Sequence, residues 1–146
     1  MAFRHKKYCV LPAEKEKMKS MLTSFMYHRT EICFVYLHGS FVTERSFGDI
    51  DIAVNLNTEC PGATAYELQL EIALEKIIKY PTDVRILNNA PLSFQYNVIK
   101  SGEIIVSRNE NKRIEFHVRT IIRYCDFAPL RRNYLKEAFN IEIQPG

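Results

Sequence analysis

The chain has no tryptophan, five glycines in 146 residues and no apolar run of the about 20 residues that a membrane-spanning helix needs. Residues 1–7 are basic, but the apolar segment of a secretory signal does not follow them. No C-x-x-C pair occurs, and the histidines show no ligand spacing with the cysteines, which argues against a zinc site. We therefore expect no membrane contact and a reducing, cytoplasmic setting with four free thiols, of which Cys33 and Cys125 would lie in the core.

Composition sets only broad limits on function. Hydrophobic residues make up 47% and charged residues 25% of the chain, which is typical of one soluble domain spanning residues 1–146. The net charge of +3 decides little, but residues 100–136 carry nine basic and four acidic side chains. This excess could meet nucleotide phosphates, RNA or an acidic protein surface, or could simply be a solvated helix face. We do not expect direct nucleic-acid binding.

Apolar periodicity predicts helices alternating with short strands. Helical spacing is found after Pro12, around residues 66–77 and, more briefly, after Pro91. Apolar runs predict strands at Ile32 to Leu37, about Asp49 to Leu56, Asp83 to Leu87 and Ile104 to Val106. The order predicts an α/β fold of the α+β type, with a small mixed sheet of about four strands flanked by helices.

The C-terminal segment, about residues 109–140, is predicted to be helical. Asn109 is suited to an N-cap position, and an apolar stripe should cover the sheet through Ile114, Val118, Ile121, Ile122 and Cys125. Pro129 is expected to separate this helix from a last piece with a second stripe, formed by Leu130, Tyr134, Leu135 and Phe139. The second stripe either completes the core or binds a protein partner.

The most informative segment joins a Gly-Ser turn, Gly39-Ser40, to an Asp-x-Asp pair, Asp49 and Asp51. Residues two apart on a strand point to the same face, so the two carboxylates should be neighbours and should resist joint ionisation. A divalent cation relieves that repulsion, and Mg²⁺ is commonly held by one or two carboxylates together with substrate phosphates. The glycine lets a phosphate approach the backbone, and Ser40 offers a hydroxyl and an amide donor.

Simpler structural roles exist for each of these residues. Asp49 follows a glycine and could be a turn residue, whereas Asp51 sits in an apolar strand, where aspartate is disfavoured. Asp83 alone could be a residue at the start of a strand. His38, next to the Gly-Ser turn, could be a base or a strand-end histidine hydrogen-bonded to backbone, and the second interpretation is favoured. Arg85 is either an ion-pair partner of Asp83 or a nucleotide contact.

These motifs resemble the nucleotidyltransferase superfamily of DNA polymerase β, whose signature joins a Gly-Ser turn, a short helix, an Asp-x-Asp strand and a third acid on a later strand. Asp83 to Pro91, Lys100 to Val106 and the tail around Tyr124 to Leu130 are similar to the minimal nucleotidyltransferases in particular. The resemblance covers about Ile32 to Phe139. It implies the polymerase β-like fold and enzymatic nucleotidyl transfer, with two Mg²⁺ ions and ATP as substrate.

The resemblance also implies the site. Asp49, Asp51 and Asp83 would be the catalytic carboxylates and metal ligands, with Asp83 on the side of the attacking hydroxyl. Gly39 and Ser40 would hold the nucleotide phosphates. The loop from Ser40 to Asp49 has eight residues, shorter than in many members, and Phe41 replaces the arginine that usually follows the serine. Arg45 is the candidate to take over that nucleotide contact.

Three functions remain open from the sequence. Minimal nucleotidyltransferases commonly pair with a HEPN-domain ribonuclease in a type VII toxin–antitoxin system, which implies AMP transfer to a tyrosine of that toxin. A small-molecule acceptor such as an aminoglycoside is the second function, although the chain lacks the extra domain that usually builds the acceptor pocket. A nucleotide-binding or purely blocking antitoxin without turnover is the third. A homo-oligomer is left open.

Overall fold

The apolar run before the Gly-Ser turn forms a central strand of a four-stranded mixed sheet. The structure is a computed structural model that describes residues 6–139, with backbone alone at residues 128, 130, 131, 134 and 139. The elements in chain order are β1 (Tyr8–Cys9), α1 (Pro12–Tyr27), β2 (Ile32–His38), α2 (Ser40–Thr43), β3 (Ser46–Phe47), β4 (Ile50–Leu56), α3 (Ala63–Ile78), β5 (Thr82–Ile86), α4 (Leu92–Ser101), β6 (Glu103–Ser107) and α5 (Glu110–Phe139).

The sheet has the strand order β5-β4-β2-β6. Strands β4 and β5 are parallel, whereas β2 pairs antiparallel with both β4 and β6. The predicted mixed sheet of about four strands flanked by helices is therefore confirmed. A second, two-stranded ribbon pairs β1 with β3 and was not predicted, because two-residue strands leave no periodic pattern in a sequence.

Alternate side chains of β2 enter two separate cores. Val35 and Leu37 join the larger core, which α1 and α3 cover. Phe34 and Tyr36 point to the other face and join a smaller core with residues of α4 and with Phe116 of α5. Because side chains alternate along a strand, residues 38, 51 and 83 are expected on this second face, next to α4.

Helices α1 and α3 pack as their periodicity predicts. The methionine-rich stripe of α1 belongs to the larger core, with Met18, Leu22 and Met26 buried. On α3 the buried positions are Leu70, Leu74 and Ile78. Ile77 belongs to the helical spacing predicted around residues 66–77 but is 40% exposed, and Ile78 is buried in its place.

The predicted role of the α5 stripe is wrong. Ile114, Val118, Ile121 and Ile122 are 37–55% exposed, and Cys125 is exposed as well, so it is not a core residue. Instead α5 packs through Phe116 and Thr120, both nearly inaccessible, and through Tyr124, whose ring stacks on Tyr96 of α4 at 3.7 Å between centroids. Apolar spacing identified a stripe but could not show which face of the helix the domain covers.

Pro129 does not end the helix, contrary to the prediction. Helix α5 begins at Glu110, where the Asn109 side chain accepts a hydrogen bond from the Lys112 N–H, and continues through Pro129 to Phe139. A proline inside a helix leaves the carbonyl four residues earlier without its donor. That carbonyl belongs to Cys125, on the exposed side of α5, where water can satisfy it. Of the predicted second stripe, the side chains of Leu130, Tyr134 and Phe139 lie outside the described part.

Candidate active site

The Gly-Ser turn lies where β2 ends. His38 is the last residue of β2, and α2 begins at Ser40. Gly39 adopts φ 72° and ψ −161°, a conformation that a side chain would strain. A Cβ at Gly39 would also overlap the Asp51 carboxylate and would lie 3.0 Å from its Cγ. Glycine is therefore required here both by the backbone and by the close approach of Asp51.

The three predicted acids lie together directly beside this turn. Asp51 on β4 and Asp83 on β5 are register partners across the parallel pair, and Asp49 lies in the bend that leads into β4. One carboxylate oxygen from each lies within 4.8 Å of the others, and all three residues are half-buried. The structure thus brings together three side chains separated by up to 34 positions, in an arrangement that could hold a divalent cation.

Burial and mutual repulsion perturb the ionisation of the central acid. Desolvation raises the pKa of Asp51, and the nearby carboxylates of Asp49 and Asp83 raise it further, to about 7. The Arg85 guanidinium opposes this rise. A carboxyl group whose ionised form is so strongly disfavoured is an indicator of a functional site, and a bound cation would remove the repulsion.

Arg85 and His38 extend the acidic cluster towards α4. The Nε of Arg85 lies 3.7 Å from Oδ2 of Asp83, so the ion-pair interpretation of Arg85 is the one the structure supports. Its guanidinium carbon also lies 5.7 Å from the ring centroid of Phe94 on α4. Phe94 therefore contacts the Arg85 side chain, whose positive charge screens the carboxylate of Asp83.

His38 differs from the sequence interpretation. Its Nε2 is buried and has no hydrogen-bond partner among the described residues, and its ring meets Phe94 edge-on at 5.5 Å. Burial lowers the pKa of His38, with Arg85 adding to the effect and Asp83 opposing it. Burial thus favours the neutral imidazole beside the acids, and its Nε2 has no partner among the described residues. Only the adjacency of His38 to Gly39 in the sequence signals this position.

Phe41 and Arg45 lie differently in the short loop between Ser40 and Asp49: Phe41 is buried and Arg45 is exposed. Phe41, at the place where many members have arginine, is fully buried, and its ring packs against Phe47 at 4.9 Å. This aromatic contact anchors α2 to β3, which spans part of the loop. Arg45 is exposed and makes none of the salt bridges found among residues 6–139. Its nucleotide contact stays a prediction.

The fold and the site together define a class. A glycine-serine turn at the end of a strand, beside an acidic pair and a third acid on the neighbouring parallel strand, could hold a divalent cation together with phosphate groups, as cation-assisted nucleotidyl transfer requires. The family comparison supports the same class. The model of the family described as polymerase beta, nucleotidyltransferase, matches residues 20–111, and the chain belongs to this family. The predicted superfamily and enzyme class are confirmed.

Solved structures show the same fold at low sequence identity. A solved complex of a tri-AMPylated Shewanella oneidensis HEPN toxin with an MNT antitoxin matches with a TM-score of 0.69 and 18% identity, over 86% of this chain and 98% of the matched one. A toxin–antitoxin MntA–HepT structure matches with a TM-score of 0.65 and 18% identity, over 88% of this chain and 99% of the matched one. A toxin–antitoxin structure with AMP-PNP matches with a TM-score of 0.67 and 19% identity, over 84% of this chain and 98% of the matched one. No curated protein matches the chain.

Within the described residues 6–139, none of the helices combines the length and the apolar character needed to cross a bilayer. The longest helix, α5, is interrupted by charged side chains throughout.

Proposed function

We propose that this chain is an antitoxin enzyme that transfers AMP from Mg²⁺–ATP to a tyrosine of a HEPN-type toxin. The observation that carries the proposal is the cluster of three carboxylates against the Gly39-Ser40 turn, within the nucleotidyltransferase fold. The acceptor is suggested by the similar structures, one of which contains an AMPylated HEPN toxin. Four cysteines without disulfide partners are consistent with a cytoplasmic setting.

The residues of the cluster fit a divalent cation. Asp49, Asp51 and Asp83 present only oxygen ligands, which hard cations prefer, and their spacing allows a shared ion. Burial, and after it the repulsion from Asp49 and Asp83, raise the pKa of Asp51, and a cation would offset both effects. A bound pair of Mg²⁺ ions would neutralise phosphate charge and stabilise the attacking and leaving oxygens.

The residues of the site would then position the reactants. Gly39 and Ser40 hold the β- and γ-phosphates, through the close backbone approach at Gly39 and the donors of Ser40, and Arg45 adds a nucleotide contact. The tyrosine oxygen attacks the α-phosphorus, the bond to the bridging oxygen breaks, and pyrophosphate leaves. Asp83 orients the acceptor hydroxyl and takes its proton. Most of the rate enhancement in such a reaction comes from positioning and charge neutralisation.

Intact-mass measurement tests the proposal. The purified chain is incubated with Mg²⁺, α-labelled ATP and a HEPN-type toxin. We expect the toxin alone to gain label and the mass of one or more AMP groups. Asp51→Asn should reduce the rate by more than the roughly 10–100-fold that loss of an outer-shell partner costs.

Glu16→Gln is the matched control, because this carboxylate is 73% exposed on α1 and lies far along the chain from the acids. It should leave the rate unchanged. Label on neither chain would show that the protein blocks its partner without catalysis. Normal labelling by Asp51→Asn would remove the acidic cluster from the reaction.

A cavity beside Arg85 supports a small-molecule acceptor as the second candidate. It measures about 300 Å³ and is lined by Arg85 and Phe94 from the site and by the acidic side chains Glu59 and Glu67. Two glutamates against one arginine in this lining would favour a cationic acceptor such as an aminoglycoside. Label transfer to an aminoglycoside in the absence of any second protein would favour this candidate over the first.

A further inference from the structure

The two-stranded ribbon at the start of the chain runs beside the acidic cluster. Strand β1 pairs antiparallel with β3, and Tyr8 lies opposite Phe47. Continued into the bend that follows β3, this register places Lys6 opposite Asp49. The backbone agrees, because the Lys6 carbonyl oxygen lies 3.8 Å from the position that a Cβ on Gly48 would occupy. The ribbon therefore brings a lysine to one of the three clustered acids.

The side chains of Lys6 and Lys7 belong to opposite faces of the ribbon. Residues two apart on a strand share a face, so Lys6 shares the face of Tyr8 and Lys7 does not. The Nζ of Lys6 accordingly lies 5.4 Å from the ring centroid of Tyr8. Residues opposite each other in an antiparallel pair also share a face, which puts the Lys6 side chain on the side of Asp49. Both lysines are exposed, and neither makes a salt bridge within residues 6–139.

Three other cations belong to the elements around the Gly-Ser turn, and each is held or placed elsewhere. The Lys15 ammonium donates a hydrogen bond to the backbone carbonyl of Glu44 at 3.0 Å. Arg85 already pairs with an acid of the cluster. Arg45 precedes β3 and so lies at the end of the ribbon away from the acids. Lys6 is thus the cation that the ribbon leaves beside the acids without an ion pair in the described part of the chain.

We propose that Lys6 binds a phosphate group of the nucleotide. The inference rests on the proposed function, in which ATP brings further negative charge to three carboxylates. A lysine ammonium is a compact charge on a flexible stem, and it binds phosphate through charge-assisted hydrogen bonds. The contact of an exposed ammonium with an aromatic ring is weaker. A phosphate held at Gly39 and Ser40 therefore draws the Lys6 ammonium away from Tyr8 and towards the cluster.

Calorimetry with Mg²⁺ and AMP-PNP, which cannot be turned over at the bond to the γ-phosphate, tests this contact in the full chain. Lys6→Gln should raise the dissociation constant about tenfold, as loss of a charge-assisted hydrogen bond would. Lys7→Gln is the matched control, because each substitution lowers the net charge of +3 by one and Lys7 lies on the other face. It should leave the dissociation constant unchanged, and Lys6→Arg should restore most of the lost affinity.

Salt and metal titrations separate a phosphate contact from other roles of Lys6. Added salt screens exposed charges, so the difference between the wild type and Lys6→Gln should shrink as the salt concentration rises. Titration with Mg²⁺ alone should give the same affinity for both proteins, because no phosphate is then present. Both should also unfold at the same temperature without ligand, since the Lys6 side chain is exposed.

Three results would overturn the inference. Lys6→Gln could bind the nucleotide as the wild type does, or Lys6→Gln and Lys7→Gln could lose affinity equally, which would indicate long-range attraction alone. Lys6→Gln could also bind Mg²⁺ more tightly with unchanged nucleotide affinity, which would make Lys6 a counter-ion of Asp49. A wild type that binds no Mg²⁺–AMP-PNP would overturn the proposed function as well, whereas normal binding by both proteins would overturn only the role of Lys6.

Discussion

At the residue scale, the position of Asp51 disfavours the negative charge of its carboxylate. The apolar strand around it and the neighbouring carboxylates disfavour ionisation and raise its pKa from 3.8 to about 7. The folded state therefore binds a proton that the unfolded chain releases between these two values. Stability contributed by this group is present at low pH and is lost as the pH rises towards 7. A cation bound by the three carboxylates would offset the stability that is lost when Asp51 ionises in the folded state.

Asp51→Asn should therefore stabilise the protein without metal. The variant removes the ionising group and its repulsion with Asp49 and Asp83, so its unfolding temperature in chelator should exceed that of the wild type. The gain should be larger near pH 8 than near pH 5, where Asp51 of the folded wild type is still protonated. Differential scanning fluorimetry at both pH values measures it.

Added Mg²⁺ provides the control for this prediction. It should raise the unfolding temperature of the wild type more than that of the variant, because a ligand stabilises the state it binds. A variant that is less stable than the wild type at high pH would show that Asp51 makes a structural contact that outweighs the repulsion.

Sequence patterns identified the acids but not their surroundings. Asp51 could be predicted because an aspartate within an apolar strand has few structural explanations. His38 and Arg85 could not be assigned, because their surroundings depend on Phe94 of α4, which tertiary packing brings to them. Helical periodicity places Phe94 on a helix but does not say which strand residues it meets.

At the element scale, α3 protects the edge of the sheet. Strand β5 is an edge strand paired with β4, so its outer N–H groups would otherwise be open to another strand. Three glutamates of α3 accept them: Thr82 N–H donates to Glu75 at 3.0 Å, Val84 N–H to Glu71 at 2.9 Å and Ile86 N–H to Glu67 at 2.8 Å. Glutamates four residues apart on α3 are separated by about 6 Å along the helix axis, and alternate N–H groups of β5 by about 6.6 Å along the strand. The two spacings nearly match, so each glutamate faces one N–H group.

Loss of the central glutamate should destabilise the domain. Glu71→Ala leaves the Val84 N–H without its acceptor, which should lower the free energy of unfolding by about 1–3 kcal/mol. Glu71→Gln keeps an amide oxygen as acceptor and should cost less. Urea denaturation of both variants, with Glu59→Ala in the exposed loop as control, measures the difference. Equal losses for Ala and Gln would exclude the hydrogen bond as the cause.

Element prediction succeeded where one face of the element meets the core and failed elsewhere. The helices α1 and α3 have an apolar stripe that packs on the sheet, so periodicity located them. The glutamate series of α3 lies on the flank of that stripe, and its spacing of four residues was the only signal of its role. For α5 the apolar stripe is exposed, and a breaker residue, Pro129, lies inside the helix.

At the scale of the whole molecule, the site and the long helix are separate. The acids and the Gly-Ser turn lie at one end of the β2–β4–β5 strands, whereas α5 contacts the body mainly through α4. The family match over residues 20–111 likewise ends as α5 begins. The candidate catalytic residues and the exposed residues of α5 can therefore be altered independently.

Removal of the end of α5 should leave a folded and active protein. Among the α5 side chains that the structure describes, the buried Phe116 and Thr120 and the stacked Tyr124 all precede residue 128. A chain truncated after Ala128 should therefore unfold cooperatively within a few degrees of the full chain and bind Mg²⁺–ATP with unchanged affinity. Phe116→Ala in the full chain is the destabilising comparison, with an expected loss of about 3–5 kcal/mol. Circular dichroism and calorimetry make both measurements. An unfolded truncated chain would show that residues 129–139 belong to the core, and a folded chain that no longer binds the HEPN protein would place that partner's contact there.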